Sequence, residues 1–390
     1  MLHKFSKMIY HLLLIIWKNL FYTYRYLCQR IKIEKYSLPS VVYELLITHD
    51  GGGGTENYVS NYIKNRKDIV VLRNISYGRD ILFSVEDYNL DISMYIKPDQ
   101  MVAFLESINA SIITVNSLVR NFSSKKIIDI LNKKRIMQNV IIKYNVHDYH
   151  CICPNHKLII YDKYCNLECH SQKCHFDKIV VSKNITIDAW REQWRFFLSV
   201  VASEIICFSQ STEEYMQKIY PDIARKITVV PHSMAYCKFT PVNITSYDFH
   251  VGIIGGISSR AKGLSVIKKF LRLASAKKIK VSVVGKMFFW DKVYSPYINY
   301  HGPYKNEELQ GIIEQRKITN ILFPSIVPET FSYLISELMA MNIPIVCFNI
   351  GAQAEKVKNY NRGSICKSTS AEDILLTLKS QYIDLVKKKE

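Results

Sequence analysis

Glycine is scarce in this sequence, so the few places where it clusters are informative. The chain has 14 glycines in 390 residues, about half of the roughly 7% that proteins usually contain. Low-complexity segments and internal repeats are also lacking. With an apolar fraction of 48% and a charged fraction of 22%, the composition indicates a folded globular protein with little room for long disordered tails.

The sequence also lacks a cleavable-looking secretory signal and paired CxxC knuckles. Its ten cysteines therefore suggest reduced thiols in a cytosolic setting rather than a disulfide framework. Half of them fall within Cys151–Cys174, beside several histidines, and such a cluster contains enough ligands for a tetrahedral zinc site. The candidates for a structural zinc are Cys153, Cys165, Cys169 and Cys174. The alternative is that reduced thiols pack a long loop.

An uninterrupted apolar run of membrane-spanning length is missing as well. The apolar run Met8–Trp17 is followed by Lys18, and Arg25 interrupts the next stretch, whereas a spanning helix needs about 20 mostly uncharged residues. Aromatic and basic residues mixed in this way predict a membrane-associated helix in residues 1–38 that lies in the interface. A helix packed on its own domain and a true single span are the alternatives.

The charge balance favours an anionic partner. Lys and Arg total 52 against 34 Asp and Glu, a formal net charge of +18, which attracts nucleic acid, anionic lipid or a phosphate-bearing substrate. One concentration of basic residues, from Lys4 to Lys35, flanks the apolar N-terminal residues. This placement favours an anionic membrane, so we expect a cytoplasmic protein, peripheral on the inner face of the plasma membrane.

The remaining chain alternates apolar strands with amphipathic helices, the pattern of parallel α/β units. At 390 residues the chain is too long for one core and fits two such domains. We expect a first domain over 39–238, a second over 239–368, and a C-terminal helix over 369–390. Strands are predicted at 41–48, 69–73, 111–115, 140–146 and 204–208 in the first domain, and at 250–255, 280–284, 320–324 and 343–348 in the second. A helix is predicted from Asn306 in the second domain.

Four consecutive glycines, Gly51–Gly54, follow the first predicted strand and precede a helix. Backbone amides at a helix N-terminus are exposed there without side chains to block approach, which is an anion-binding geometry, with Gly52, Gly53 and Gly54 as candidate donor-binding residues. The run has neither the Gly-Lys-Ser/Thr of a Walker loop nor the spacing of a dinucleotide fingerprint. A flexible turn is the alternative.

A second glycine group surrounds the loop after the first strand of the second domain. Arg260 and Lys262 lie beside Gly255, Gly256 and Gly263. Arg as a bidentate fork and Lys as a point charge could together neutralise a diphosphate. A solvated basic turn is the alternative.

Two glutamates, Glu329 and Glu337, stand eight residues apart in the segment PETFSYLISE. We expect the segment PETFSYLISELMA to form one continuous helix, on which the two glutamates lie two turns apart and about 80° around the axis. Each could then serve a different part of one ligand, with Glu329 at the N-terminal end, where the helix dipole favours phosphate or sugar oxygens.

The segment Phe323–Val346, FPSIVPETFSYLISELMAMNIPIV, resembles retaining glycosyltransferases of family 4. The resemblance extends from about Tyr43 to the C-terminus and implies a GT-B fold, in which two Rossmann-like doubly wound domains face a central cleft and the C-terminal helix can cross back to the first domain. It implies that Glu329 contacts the donor hexose and Glu337 the ribose hydroxyls. By the same resemblance Lys262 holds the diphosphate. Backbone amides around the first glutamate would contact the donor at Thr330, Phe331 and Ser332.

One position departs from that family. Its members commonly have Arg directly after the glycine that ends the first strand of the second domain, where this sequence has Gly256. Arg260 is the residue that could substitute for it.

The segment that begins VHDYHCICPNH resembles transferases of bacterial surface polysaccharide synthesis. His147, at the end of a predicted strand, matches the histidine near the sugar-transfer site. A neutral imidazole there could orient the acceptor hydroxyl or the donor sugar, and a capping or core histidine is the alternative. Asp148 is expected to orient the loop.

The resemblance therefore implies transfer of a hexose from a nucleotide sugar to a glycan or lipid-linked acceptor, with retention of anomeric configuration, in cell-surface polysaccharide synthesis. No metal is expected to be required, because no Asp-x-Asp metal-binding motif appears where a donor phosphate would sit. No cofactor besides the nucleotide-sugar co-substrate is expected. A sugar-nucleotide 2-epimerase or a phosphorylase-like enzyme shares the architecture, but the first would want further carboxylates and the second a far longer chain. A non-enzymatic basic protein that binds zinc and nucleic acid would leave the glycine loops and glutamates unexplained, so no nucleic-acid partner is expected.

Overall fold

The computed structural model describes residues 40–75, 82–119, 123–160, 163–169, 185–243, 248–257 and 259–387. The helix predicted within residues 1–38 lies outside these ranges. Among the residues described, no helix combines the length and the apolar character that crossing a membrane requires.

The chain forms two compact units. The first is built from the described residues of Met1–His156, Cys169–Phe208 and Glu213–Val230, and the second from those of Lys157–Glu168, Ser209–Thr212 and Pro231–Glu390. Each unit has its own sheet with helices packed against it, so the doubly wound α/β architecture predicted from the sequence is confirmed.

The first unit contains an eight-stranded sheet in the order β10-β9-β6-β5-β1-β2-β3-β4. Its strands are β1 Val41–His49, β2 Ile69–Asn74, β3 Phe83–Asp87, β4 Ile92–Ile96, β5 Asn109–Val115, β6 Ile141–Asn145, β9 Glu204–Cys207 and β10 Ile227–Val229. Its helices are α1 Gly54–Tyr62, α2 Pro98–Ser107, α3 Ser124–Gln138 and α4 Ile187–Phe196, and helix α5, Gln210–Ile219, joins β9 to β10. All pairings are parallel except those of β3, which is antiparallel to both neighbours.

The second unit contains a six-stranded parallel sheet in the order β13-β12-β11-β14-β15-β16. Its strands are β11 His250–Ile254, β12 Lys280–Val284, β13 Ile298–Gly302, β14 Asn320–Phe323, β15 Ile345–Phe348 and β16 Gly363–Cys366. The helices are α6 Leu264–Ala276, α7 Leu309–Gln315, α8 Tyr333–Ala340, α9 Gly351–Lys358 and α10 Ala371–Lys387. A separate two-stranded ribbon pairs β7 Ile159–Ile160 with β8 Lys163–Tyr164.

Strand order determines where a ligand site can form in this second sheet. The direction of winding reverses between β11 and β14, and doubly wound sheets bind ligands outside the carboxyl ends of their strands at such a reversal. Both strands are hydrophobic and buried over nearly their whole length. Such burial is typical of parallel strands covered by helices on both faces. A ligand site is therefore expected at the loops that follow β11 and β14.

Three differences from the predicted elements have clear physical reasons. The hairpin β3–β4 and the edge strands β13 and β16 were not predicted, because short edge strands carry only a weak periodic signal. The helix predicted from Asn306 begins with a single 3-10 turn, and α7 follows at Leu309. The continuous helix expected across PETFSYLISELMA was wrong, since α8 begins only at Tyr333.

The C-terminal helix α10 packs inside the second unit. Ile374, Leu375 and Leu378 are buried in one cluster with Ile267, Phe270 and other apolar side chains of α6. This cluster covers one face of the six-stranded sheet, and a second apolar cluster that includes Leu338 of α8 covers the other.

Candidate active site

The loop after β11 is shaped by glycines at the reversal point. Gly255 has a φ of 110° and its N–H donates to Val284 O at 2.8 Å. Gly263 has a φ of 73°, and a Cβ there would lie 2.0 Å from Pro324 O. Only glycine permits this close approach, so the turn Ser259–Gly263 can lie against the loop that follows β14.

That approach brings Lys262 to Glu329. The Ile326 N–H donates to Ala261 O at 3.1 Å, which fixes the two loops together, and Lys262 Nζ lies 2.6 Å from Glu329 Oε1. The Glu329 side chain is 16% exposed and that of Lys262 is 48% exposed. Two residues that the sequence assigned to donor binding from distant segments therefore form one charged pair.

Lys262 helps to keep Glu329 ionised. Burial raises the pKa of this carboxyl, but the Lys262 ammonium, together with hydrogen bonding from Ser332 and Ser325, outweighs that effect and holds the pKa below its ordinary value. Glu329 is therefore ionised at neutral pH. An ionised carboxylate can accept hydrogen bonds from sugar hydroxyls, while the lysine remains available to an anionic group.

The backbone of Glu329 is held by α9 and the turn before it. Its N–H donates to Gln353 Oε1 at 2.9 Å, and its carbonyl accepts from Ala352 N at 3.0 Å. Gln353 also donates from Nε2 to Val327 O at 2.7 Å. Gly351 has a φ of 61°, and a Cβ there would lie 2.6 Å from Pro328 Cα, so glycine is required at this position too.

Glu329 lies in a loop, which corrects the expectation that it shares a helix with Glu337. Ser332 caps α8 with a left-handed φ of 63°, and this conformation prevents the helix from extending backward through Pro328. The first amides of α8, at Tyr333 and the next two residues, have no carbonyl partner within the helix. The loop 329–332 therefore lies at the positive end of the α8 dipole.

Glu337 is buried in α8 and already has partners. Its Oε1 accepts from the Tyr236 hydroxyl at 2.6 Å and from Asn306 Nδ2 at 3.2 Å. Burial raises the pKa of Glu337, and the two hydrogen bonds oppose that effect. A buried carboxylate with hydroxyl and amide neighbours is suited to binding vicinal hydroxyls, such as those of a ribose.

Phe331 belongs to a cluster of rings beside these glutamates. The His232 ring stacks on Tyr333, with ring centroids 5.1 Å apart and an interplanar angle of 8°, and meets Phe331 edge-on at 4.6 Å. Lys356 of α9 lies over the other part of the cluster, with Nζ 3.3 Å from the Phe331 ring centroid. The rings anchor the loop that carries Glu329, Thr330 and Ser332.

Arg260 lies in the same turn as Lys262 and is exposed. Its carbonyl accepts from Gly263 N at 2.9 Å. Gly256 is exposed, and no atom would lie within 4 Å of an added Cβ. The place where the resembling family has its arginine is therefore open.

In the first unit, the glycine run follows β1 where the winding of that sheet reverses between β1 and β5. The Gly51 N–H donates to His49 Nδ1 at 2.8 Å. Gly52 and Gly53 have φ values of 70° and 72°, and α1 begins at Gly54. Positive φ at two successive residues explains why glycine is used, and the amides of the first turn of α1 have no partner within the helix.

His147 follows β6, the strand next to β5. Its half-buried ring lies between Tyr58, with centroids 4.6 Å apart, and Phe208, with centroids 4.5 Å apart. Asp148 beside it accepts from Ser117 Oγ at 2.5 Å and from the His150 N–H at 2.8 Å. Asp148 therefore ties the loop after β6 to the loop after β5. Burial raises the pKa of Asp148 to about 6, although these two hydrogen bonds act to lower it.

The cysteine segment offers no metal site within the described part of the chain. There, no three or more His, Cys, Asp or Glu side chains come together as metal ligands. Cys153 is buried, Cys165 and Cys169 are half-buried, and Cys174 lies outside the described residues. The Arg191 guanidinium donates to Cys169 Sγ at 3.0 Å, so this thiol packs within the first unit.

Several residues of the site were not predicted from the sequence. They are the supports and neighbours of the predicted residues: Tyr58, His232, Tyr236, Asn306, Gly351, Gln353 and Lys356. Gly351 had a usable signal, because it follows a buried strand in a glycine-poor chain, as Gly51 and Gly255 do. The others come from loops and helices whose contacts only the fold creates.

Residues 251–384 match the family model for glycosyl transferases group 1. This range includes Lys262, Glu329 and Glu337. No curated protein matches the sequence.

Solved structures match nearly the whole chain at low identity. Anabaena Alr3699/HepE in complex with UDP-glucose is 15% identical, with a TM-score of 0.57 over 88% of this chain and 91% of that one. Sucrose-phosphate synthase from Thermosynechococcus elongatus is 12% identical, with a TM-score of 0.55 over 88% and 90%. WaaG, a glycosyltransferase involved in lipopolysaccharide biosynthesis, is 10% identical, with a TM-score of 0.52 over 87% and 90%. These likenesses confirm the GT-B-like fold, and with the family match they support a GT-B glycosyltransferase.

Proposed function

We propose that this protein is a retaining hexosyltransferase that moves a hexose from a nucleotide sugar to a glycan or lipid-linked acceptor in cell-surface polysaccharide synthesis. The observation that carries the proposal is the Lys262–Glu329 pair, 2.6 Å apart, at the reversal point of a doubly wound sheet and at the amino end of α8. A carboxylate, an ammonium and helix amides meet there. Together they can bind the hydroxyls and the diphosphate of a nucleotide sugar.

Each group suits a different part of the donor. Glu329 accepts hydrogen bonds from hexose hydroxyls, and Lys262, with Arg260 in the same turn, neutralises the diphosphate. The amides at Thr330, Phe331 and Ser332 add donors to the sugar or phosphate oxygens. Glu337 binds the ribose hydroxyls in place of its present hydrogen bonds to Tyr236 and Asn306. No cofactor is needed for these roles.

The proposed reaction uses the leaving group as the base. The bond from the anomeric carbon to the diphosphate oxygen breaks, the acceptor oxygen bonds to the same face, and the acceptor proton passes to the departing diphosphate. Lys262 and the α8 amides stabilise the charge that develops on it. In the first unit, we assign His147 to orienting the acceptor hydroxyl and the Gly52–Gly54 amides to an anionic part of the substrates.

Known neighbours suggest which donor to test first. The Anabaena structure holds UDP-glucose, which makes UDP-hexoses the first choice for this chain. WaaG is involved in lipopolysaccharide biosynthesis, which makes lipid-linked saccharides the first choice of acceptor.

A donor screen tests the proposal. The purified full chain is incubated with UDP-, GDP- and ADP-sugars and lipid-linked saccharide acceptors, and the anomeric configuration of any product is determined by NMR. We expect one donor to be consumed with retention. Absence of binding and turnover with every donor would refute the transferase assignment, and an inverted product would refute retention.

Substitution of the charged pair tests the site. Lys262→Ala and Glu329→Ala should each lower kcat by about 100-fold or more, because removing one preorganised charge stabiliser typically has an effect of this size. The matched control is Lys280→Ala, which removes an exposed pair with Asp248 at the amino end of β12, where Nζ–Oδ2 is 3.0 Å. Retained activity in both site variants would contradict the assignment.

A further inference from the structure

The ammonium of Lys356, a partly buried residue of α9, points toward other residues of the second unit. Its Nζ donates to Ser336 Oγ at 2.6 Å and to Ser332 O at 3.4 Å, and lies 3.3 Å from the Phe331 ring centroid. This one side chain of α9 thus contacts the loop 329–332 at Phe331 and Ser332, and the first turn of α8 at Ser336.

We propose that Lys356 is a positioning residue that, when protonated, holds the loop 329–332 in its donor-binding conformation. The inference rests on the proposed function of that loop. Lys356 acts through Phe331 and Ser332 rather than through contact with the donor.

The loop conformation needs such support. Ser332 adopts a left-handed φ of 63°, which is unfavourable by about 1 kcal/mol or more for a residue with a Cβ and persists only when its surroundings impose it. An ammonium has three donors and a full charge. It can therefore bind the Ser332 carbonyl, the Ser336 hydroxyl and the face of the Phe331 ring together.

The charge on Lys356 is sensitive to pH near neutrality. Burial lowers the pKa of its ammonium to about 7, although Glu355 on its own helix and Glu329 on the loop favour the charged form. His232, packed on the same rings, has a pKa lowered by burial to about 3 and stays neutral. Burial raises the pKa of Tyr333 to about 12, so this residue also stays neutral. Of Lys356, His232 and Tyr333, Lys356 is thus the group that changes charge between pH 6 and 8.

The direction of the effect follows from this pKa. As the pH rises through about 7 the ammonium loses its proton, and its hydrogen bonds and ring contact weaken. The loop then spends less time in the binding conformation, so donor affinity falls. Because linkage is reciprocal, a protein that binds donor better when protonated must also take up protons on binding.

The experiment compares three variants of the full chain with the wild type. Lys356→Met keeps the length and removes the charge, Lys356→Arg keeps a charge that does not titrate, and Lys358→Met removes an exposed lysine from the same helix. Binding of UDP and of the donor from the screen is measured by calorimetry from pH 6 to 9, in two buffers of different ionisation enthalpy. KM and kcat are measured in parallel.

We expect the wild-type donor KM to rise about tenfold across this range, a size typical of losing a hydrogen bond to a charged group, with kcat changing much less. Lys356→Met should show the high KM at every pH, and Lys356→Arg should remove the pH dependence while keeping the low KM. Lys358→Met should match the wild type. Proton uptake should accompany binding near pH 7.5 in the wild type and in Lys358→Met, and in neither Lys356 variant.

Distinct results overturn the inference and the proposed function. If the wild type binds donor with a KM independent of pH, or if Lys356→Met keeps the wild-type KM profile, Lys356 does not position the loop. If Lys356 had only a structural role, its substitution would lower stability without changing how the donor KM depends on pH. The KM profiles of the wild type and of Lys356→Arg distinguish the two roles even when Lys356→Met fails to fold. If no nucleotide or nucleotide sugar binds the wild type, the proposed function fails and the inference with it.

Discussion

At the residue scale, Ser332 shows how one backbone conformation shapes the site. A residue with φ of 63° ends α8 at its amino side, so Glu329 belongs to a loop and its carboxylate reaches Lys262. A continuous helix would place Glu329 two turns from Glu337 with its backbone committed to helix hydrogen bonds. The separation of the two carboxylates into a loop residue and a helix residue follows from this single position.

Ser332→Gly should therefore be tolerated and stabilising. Glycine adopts positive φ at no steric penalty, so the substitution removes the backbone strain at this position. The relief of strain should exceed the greater conformational entropy that glycine loses on folding. The free energy of unfolding should therefore rise by about 0.5–1 kcal/mol. Urea unfolding of the full chain measures this. Ser380→Gly, at an exposed position inside α10, is the control and should destabilise by about 0.5 kcal/mol. A loss of stability in Ser332→Gly would mean that the serine side chain matters more than the backbone strain.

A second prediction at this scale concerns His150. Its ring is 4% exposed and lies edge-on to Trp190 at 4.9 Å, and burial lowers its pKa to about 3 from 6.5. The unfolded chain binds a proton at this residue between those two values while the folded chain does not. The free energy of unfolding should therefore fall as the pH drops below about 6.5, by up to about 1.4 kcal/mol per pH unit for this residue.

His150→Leu should reduce that dependence. Urea unfolding at pH 7 and pH 5 would show a smaller difference in the variant than in the wild type. His232 remains in both proteins and contributes equally. An unchanged difference in His150→Leu would show that this ring does not resist protonation.

At the element scale, the turn into α9 supports the loop 329–332. Gly351→Ala would place a Cβ 2.6 Å from Pro328 Cα and 2.8 Å from the Glu329 nitrogen, at a φ of 61°. We expect a loss of about 2 kcal/mol or more in the free energy of unfolding of the second unit, from strain and from displaced backbone. The donor KM should rise as well, because the hydrogen bonds that hold Glu329 are displaced.

Gly311 provides the matched control. It lies inside α7, and an added Cβ would meet no atom within 4 Å, so Gly311→Ala should stabilise by up to about 1 kcal/mol through helix propensity. Urea unfolding and donor KM are measured on both variants. Equal effects at the two glycines would contradict the role assigned to the turn into α9.

At the scale of the whole molecule, the charge of the chain predicts an encounter with anionic surfaces. The formal net charge is +18, and basic and aromatic residues concentrate in residues 1–38. Deleting residues 1–38 should abolish co-sedimentation with vesicles that contain phosphatidylserine, because such segments bind through interfacial aromatics and about 1 kcal/mol per basic residue. Donor binding should be unaffected.

Salt and lipid composition complete that test. Binding of the full chain should weaken as ionic strength rises and be much weaker on neutral vesicles. If the truncated protein sediments with anionic vesicles as well as the full chain does, membrane binding does not depend on residues 1–38.

Much of the fold followed from the sequence, because periodicity reports burial directly. The central parallel strands β1, β5, β11 and β14 are short apolar runs between amphipathic helices, and their positions were predicted to within two residues. Edge strands such as β13 and β16 escaped prediction, since one side of each is unpaired and their apolar signal is weak. The zinc hypothesis is also unsupported over the described residues, because thiols near in sequence do not converge there.

The residue types at the ends of the strands can be read directly from the sequence: glycines after β1 and β11, a lysine in the turn that follows β11, and two glutamates around α8. How these residues act together depends on the fold. Lys262 meets Glu329 because Gly263 lets one loop pack on another, and Glu329 leaves the helix because Ser332 turns left-handed. Lys356 lies under the same loop because α9 packs there. The Lys262–Glu329 pair joins positions 67 residues apart, and no local pattern encodes such a contact.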